Sequence, residues 1–147
     1  MYAPWRRDLL RREVSGRWLD LGCGDGWALD LLPGGLGADL EPDRPGVLAL
    51  DGTHIPLEHG SLDAVWCSHV LQFVPEALEL LQECRRVLRP GGRLVITVPW
   101  TVLAPDPMNL QVRCFNPRSL RRILAAAGFQ AHVRPRGRSL IARAVRA

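Results

Sequence analysis

Apolar residues along the chain follow two rhythms. Short apolar runs recur at Trp18–Leu21, Leu36–Leu40, Val47–Leu50, Leu62–Ser68 and Arg93–Val98, each bounded by Gly, Pro or Asp. Such runs predict strands buried on both faces, as in a parallel sheet. Between them the spacing turns helical. Pro4–Glu13 predicts a short amphipathic helix and Trp27–Leu32 a helix stopped by Pro33-Gly34-Gly35. Pro75–Leu88 predicts the longest helix: Ala77, Leu78, Leu81, Cys84, Val87 and Leu88 make the inner stripe, with Glu76, Glu79, Glu83, Arg85 and Arg86 outside. Pro90-Gly91-Gly92 predicts a turn, and Pro117–Ala127 a helix with Asn116 as N-cap and Gly128 as stop. Phe129–Arg134 and Ser139–Val145 predict a terminal hairpin around Pro135-Arg136-Gly137-Arg138. Strands alternating with helices predict an α/β fold: a Rossmann-like, mostly parallel seven-stranded sheet with a C-terminal antiparallel hairpin, trimmed early in the chain.

A length of 147 residues is that of one domain, 1–147, and an apolar fraction of 47% suffices for a packed core. No apolar run is long enough to span a bilayer, and Met1 to Glu13 is too charged for a signal peptide, so a cytoplasmic setting and no membrane partner are expected. Every basic side chain other than histidine is arginine. Arginines gather at 6, 7, 11 and 12 and again at 134, 136, 138, 143 and 146. They read as a solvated surface, because no aromatic residues interleave them as nucleic-acid binding would ask. Cys23, Cys67, Cys84 and Cys114 form no Cys-x-x-Cys pair, so no metal site is expected and the thiols read as free.

The chemistry concentrates in Trp18-Leu19-Asp20-Leu21-Gly22-Cys23-Gly24-Asp25-Gly26, where a strand ends in an acid and glycines alternate before a helix. Glycines let a ligand approach the backbone, and a helix start offers free amides to an anion. The dinucleotide fingerprint G-x-G-x-x-G would require glycine at Trp27, and Asp20 would repel a pyrophosphate. The pattern D-x-G-x-G-x-G instead suits a ligand with an ammonium beside a carboxylate, such as the methionyl end of S-adenosyl-L-methionine. Asp20 would attract the ammonium, and the amides of Gly22–Gly26 would receive the carboxylate.

Four blocks in order extend this pattern: Leu19 to Gly26; Gly37-Ala38-Asp39-Leu40-Glu41-Pro42; Leu50 to Leu57 with Gly60 to Val65; and His69-Val70-Leu71 with Arg86 to Leu94. Through them the chain resembles class I S-adenosylmethionine-dependent methyltransferases, of the subgroup that includes the ubiquinone and menaquinone methyltransferases. The resemblance implies methyl transfer to a small-molecule acceptor with S-adenosyl-L-methionine as cofactor. It implies that Asp39 binds the ribose hydroxyls, that Leu40 packs on the adenine, that Asp51 accepts from the adenine amine and that Gly52 leaves room for the base. With Asp20, Gly22, Cys23, Gly24, Gly26 and Ser68 these make up the expected cofactor site. The plainer readings are turn residues for Asp39 and Asp51 and core packing for Leu40.

His69 follows the fourth strand, near where the methyl group should point. It is either a general base with a pKa near neutrality or a backbone contact whose side chain faces the loop or solvent. Gln72 and Phe73 stand where some relatives have histidines. Trp27 and Trp100 either line the pocket or pack. The sequence after the fourth strand, Cys67-Ser68-His69-Val70, lacks the motif of DNA amino-methyltransferases. The chain also departs from the resemblance: Pro42, Pro45 and Gly46 exclude a helix between Asp39 and Asp51, and the proline-bearing segment from Pro99 to Asn116 is short for a lid. The substrate site is then open, or completed by a second subunit in a homodimer. Two other functions stay open: a trimmed binding or scaffold module without catalysis, and an NAD-dependent oxidoreductase, which Trp27 and Asp20 oppose.

Overall fold

The structure, a computed structural model, describes residues 3–51, 53–100, 106, 108 and 110–147. In chain order it runs α1 (Pro4–Glu13), β1 (Trp18–Leu21), α2 (Trp27–Leu31), β2 (Gly35–Asp39), β3 (Leu48–Ala49), β4 (Leu62–Ser68), a 3-10 turn (Leu71–Phe73), α3 (Ala77–Val87), β5 (Leu88–Pro99), α4 (Pro117–Ala126), β6 (Phe129–Arg136) and β7 (Ser139–Arg146). The strands form one sheet in the order β3-β2-β1-β4-β5-β7-β6. Neighbours from β3 to β5 are parallel; β7 runs antiparallel to both β5 and β6.

Helices cover the sheet on two faces, as the apolar runs require. On one face α3 and α4 bury Leu81, Cys84, Leu120 and Leu124 against Leu19, Leu21, Val65 and Ile96. On the other, α1 and α2 bury Leu9, Leu10 and Ala28 against Trp18, Trp66, Val95 and Ile141. Trp27 at the start of α2 meets Trp66 edge-on, ring centres 6.1 Å apart. The N-cap of α4 is as expected: Asn116 and Ser119 cap each other reciprocally.

Several boundaries differ from the sequence reading. Pro90-Gly91-Gly92 does not separate helix from strand. It lies inside β5 as an irregularity, where pairing jumps from Leu62↔Leu88 to Ala64↔Arg93 and Gly91 takes φ 79°. The ladder on either side carries the strand through. The hairpin turn is only Gly137-Arg138, with Arg136 opposite Ser139. Pro135 stays in the strand because β6 is the sheet's edge, where a missing N–H costs no ladder bond. The third strand shrinks to two residues at the other edge. In α3 the buried face uses Leu80, while Leu78 is only partly buried. Glu83 and Arg86 turn out to be half-buried rather than outside.

Trp66 is 1% exposed and sits between α2 and the centre of the sheet. Trp66→Ala is expected to lower unfolding free energy by about 3–5 kcal/mol, read by urea denaturation. A loss below about 1 kcal/mol would show that this face carries little of the core.

Candidate functional site: the crevice at the carboxyl ends of β1 and β4

The chain leaves β1 for β2 and β3 in one direction and returns to β4 and β5 in the other. In an open α/β sheet that reversal creates a crevice at the carboxyl ends of the strands. Asp20, paired opposite Trp66 in β1–β4, is 4% exposed there. Burial, followed by the nearby charges of Asp39 and Asp25, pushes its carboxyl up to about 7. A bound ammonium would reverse that balance.

The glycine turn differs from expectation in how its amides are used. Gly22 and Cys23 donate to the carbonyl of Ala38 (2.7 and 3.3 Å), and Gly26 donates to the carbonyl of Cys23 (2.8 Å). The turn is tight enough to satisfy these donors internally, so they do not await a carboxylate. Gly24 N–H instead donates to Asp39 Oδ2 at 3.0 Å, so an anionic oxygen already sits on that amide. A side chain at Gly24 would meet open space, whereas one at Gly22, with φ 75°, would strike Val70. The helix start expected to face an anion is also corrected: α2 has five residues, and Asp25 Oδ1 accepts from Trp27 N–H at 3.2 Å.

Asp39 closes β2, its other oxygen accepting from Glu41 N–H at 3.1 Å. Beside it opens an apolar slot of about 160 Å³, lined by Leu21, Leu40, Leu50, Val70, Phe73 and Leu80. Leu40 and Phe73 are among the most exposed large apolar side chains described, at 60% and 48%. Asp51 is exposed and does not line the slot; its carbonyl accepts from His54 N–H, and its neighbours Leu50 and Thr53 form the wall. Gly52 lies outside the described residues, as do residues 101–105, 107 and 109 of the segment expected to hold a lid. The Cys23 side chain packs inward beside Gly37, and burial pushes its thiol up to about 11. Ser68 pairs with the Thr97 hydroxyl at 2.8 Å, away from the slot.

His69 is not poised near neutrality. Burial, then the charge of Arg6, lowers it to about 4. Its half-buried side chain does not line the slot but meets Arg6, whose Nη2 lies 2.9 Å from Nε2.

Sequence reasoning missed the supports that replace the absent helices. Residues 40–47 contain no helix, but Arg44 reaches from them over Gly26, donating to the carbonyl of Asp25 (3.1 Å) and pairing with Asp30 (3.0 Å). A Cβ at Gly26 would overlap this guanidinium. From α3, Arg86 pairs with Glu83 and donates to the carbonyls of Leu57 (2.9 Å) and Ile55 (2.8 Å). Glu83 accepts from His54 Nδ1 at 3.1 Å. That staple fixes the loop carrying Thr53. An isolated Arg between two prolines, and a Glu–Arg pair three apart on a helix, gave no signal beyond surface charge.

The reversed sheet order, the buried acid and the slot define an α/β protein with a crevice at the point where strand order reverses. The chain belongs to the methyltransferase domain family, whose model matches residues 19–96. A 37.1 kDa protein of transposon Tn4556 from Streptomyces fradiae is 40% identical over 132 residues, covering 76% of this chain and 38% of that protein. The demethylmenaquinone methyltransferase of Beutenbergia cavernae is 38% identical over 117 residues, covering 65% of this chain and 49% of its own length. The chain thus spans half or less of either relative. In fold it matches the methyltransferase solved with the Trm112 activator of Haloferax volcanii: TM-score 0.81, 19% identity, 96% of this chain and 88% of that one. The cofactor this family and fold imply is S-adenosyl-L-methionine. The residues present fit it: a buried acid for an ammonium, an acid at the strand end for hydroxyls, an open glycine between them and an apolar slot for a flat ring.

Two consequences can be measured. A carboxyl raised in the folded state contributes stability that is intact below its unfolded pKa near 4 and lost as pH climbs through about 7. Asp20→Asn is therefore expected to raise the melting temperature of the ligand-free chain at alkaline pH and to leave it nearly unchanged near pH 4. A lower melting temperature at alkaline pH would contradict this. Arg44→Ala is expected to speed amide hydrogen exchange across residues 23–27 while leaving global stability almost unaltered; unchanged exchange would remove Arg44 as a support.

Proposed function

We propose that the chain transfers a methyl group from S-adenosyl-L-methionine to a small-molecule acceptor, working as a single domain over residues 1–147. The observation that carries this reading is the acid pair around the glycine turn: Asp20 is buried beneath it, and Asp39 bonds to its Gly24 amide. Neither a pyrophosphate nor a neutral ligand would draw on both carboxylates. S-adenosylmethionine, when bound, supplies a sulfonium methyl carbon open to in-line attack. Asp20 holds the ammonium of the tail, Asp39 accepts from the ribose hydroxyls, and Leu40, Val70 and Phe73 flank the base. Positioning alone can supply up to about 7–11 kcal/mol of barrier reduction, so a dedicated base is not required. A small acceptor accords with the relative from Beutenbergia cavernae, which by its name acts on demethylmenaquinone. No described helix is long and apolar enough to cross a membrane. A cytoplasmic setting, and a second copy completing the acceptor side, belong to this reading.

The second reading, a binding or scaffold module, draws on the two-residue β3 and on the absence of a helix in residues 40–47. Calorimetric titration separates these readings. S-adenosylmethionine and S-adenosylhomocysteine are expected to bind and NAD is not; binding of NAD alone would contradict methyl transfer, and cofactor binding without turnover on a broad acceptor panel would favour the module. Asp39→Ala is expected to weaken S-adenosylhomocysteine by roughly tenfold or more, since it loses a charge-assisted acceptor. Unchanged affinity would remove Asp39 from the site.

A further inference from the structure

We propose that the face of the sheet over β7 and β6, on the side of α1, is a docking surface for an acidic amphipathic helix of a partner protein. A helix is about 10 Å across and strands lie about 4.8 Å apart, so one helix covers roughly two strands. On the far face α4 covers this end of the sheet: its Leu120 and Leu124 are buried with Val133, Ala142 and Ala144. On the near face the cluster under α1 and α2 reaches Trp66, Val95 and Ile141, and no residue of β6 joins it. The uncovered part of β7 and β6 is thus about one helix wide.

Strand register fixes what stands there, because cross-strand partners share a face. Val95 and Ile141 mark the α1 side. Val95 pairs with Arg143 and Arg143 with His132, while Ile141 pairs with Arg134. A cavity of about 410 Å³ opens on this side, lined by Arg93, Val95, His132, Arg143 and Val145, with Glu13 reaching in from the end of α1. Val145 is 38% exposed, an apolar spot inside a cationic rim.

Charge on this part of the chain is one-sided. Nine arginines, and neither Asp nor Glu, follow Asp106. The one carboxylate that lines the cavity is that of Glu13. Its Oε2 accepts from Arg93 Nη1 at 3.3 Å and its Oε1 from Arg143 Nη1 at 2.7 Å. One carboxylate therefore holds two guanidiniums in place and neutralises only one of their charges. Each guanidinium keeps further N–H donors for a second partner. Along β6, Arg134 and Arg136 are exposed and form no ion pair among the described residues.

Strand addition to the open edge is disfavoured, since Pro135 lacks an N–H and arginines flank it. The face is the better platform. A helix with an apolar stripe over Val145 and acidic flanks over Arg93, Arg143 and Arg134 completes the layer that α1 and α2 begin. Nucleic acid fits less well. A phosphate would meet Glu13 between the two arginines, and β6 and β7 offer bases no Tyr or Trp to stack on, with Phe129 buried. Arg93 pairs with Ala64, towards the amino ends of β4 and β5, so a docked helix leaves the crevice free.

The test titrates the full chain, by fluorescence anisotropy at low ionic strength, with a labelled helical peptide of Glu, Ala and Leu about 18 residues long. Its leucines form one stripe and its glutamates lie on both flanks. It is expected to bind roughly tenfold more tightly, or better, than the same peptide with Gln for every Glu, and to weaken as salt rises. Arg134→Glu, the milder Arg134→Gln and Val145→Asp should each weaken binding about fivefold or more. Arg118→Glu combined with Arg121→Glu, at exposed positions of α4 on the opposite face, should change it by less than about twofold. Equal affinity for the Glu and Gln peptides, or no binding of the Glu peptide, would overturn the inference. So would tighter binding of an oligothymidylate of equal charge, or a loss in the α4 variant as large as that in Arg134→Glu, which would mark mere attraction to net charge.

Discussion

A carboxylate held out of water beneath a tight backbone turn is the constraint on which the site depends. Asp20 sits buried near the carboxyl end of a central strand, with two further acids, Asp39 and Asp25, nearby. An isolated ionised carboxylate in such surroundings is unfavourable, and the group answers by holding its proton more tightly. The fold tolerates that penalty at the one position where the reversal of strand order opens a crevice. A cationic ligand group placed there recovers in binding what the empty site loses in stability. Glycine is needed at position 22 for a further reason: Val70 stands where a side chain would go, and φ is positive.

Around this centre the chain compensates for missing helices with arginines. Arg44 spans from residues 40–47 back to the carbonyl of Asp25, and Arg86 ties residues 54–57 to α3. Each guanidinium supplies donors to backbone carbonyls of a loop: Asp25 for Arg44, Ile55 and Leu57 for Arg86. In a chain without lysine, the same side-chain type takes on both surface charge and loop bracing.

Much of the architecture was legible because periodicity and punctuation agree. Runs such as Leu62–Ser68 can only be buried strands at that length, and Asn116-Pro117 with Gly128 brackets α4 at both ends. Boundaries failed where tertiary pairing overrode local chemistry. Pro90-Gly91-Gly92 reads as a stop but is carried inside β5, and Pro135 is harmless on an edge strand. At the candidate site, spacing along the strand ends pointed to Asp20, Gly24 and Asp39, and the family resemblance to Leu40; the structure sets Asp39 and Leu40 on the slot. The use of the loop amides was not, since nothing in a glycine motif reveals that Ala38 lends its carbonyl to Gly22 and Cys23. Nor was the state of His69, which depends on an arginine 63 positions earlier in the chain.

In the proposed methyl transfer, Asp20 surrenders a proton when the cofactor's ammonium arrives. Calorimetry of S-adenosylmethionine binding, repeated in buffers of different ionisation enthalpy, counts that proton directly. At about pH 6 release of nearly one proton per site is expected, falling towards zero at about pH 8.5, where Asp20 is already ionised. Binding with no proton release at the lower pH, or with equal release at both, would contradict a buried carboxylate as the partner of the ligand's charge.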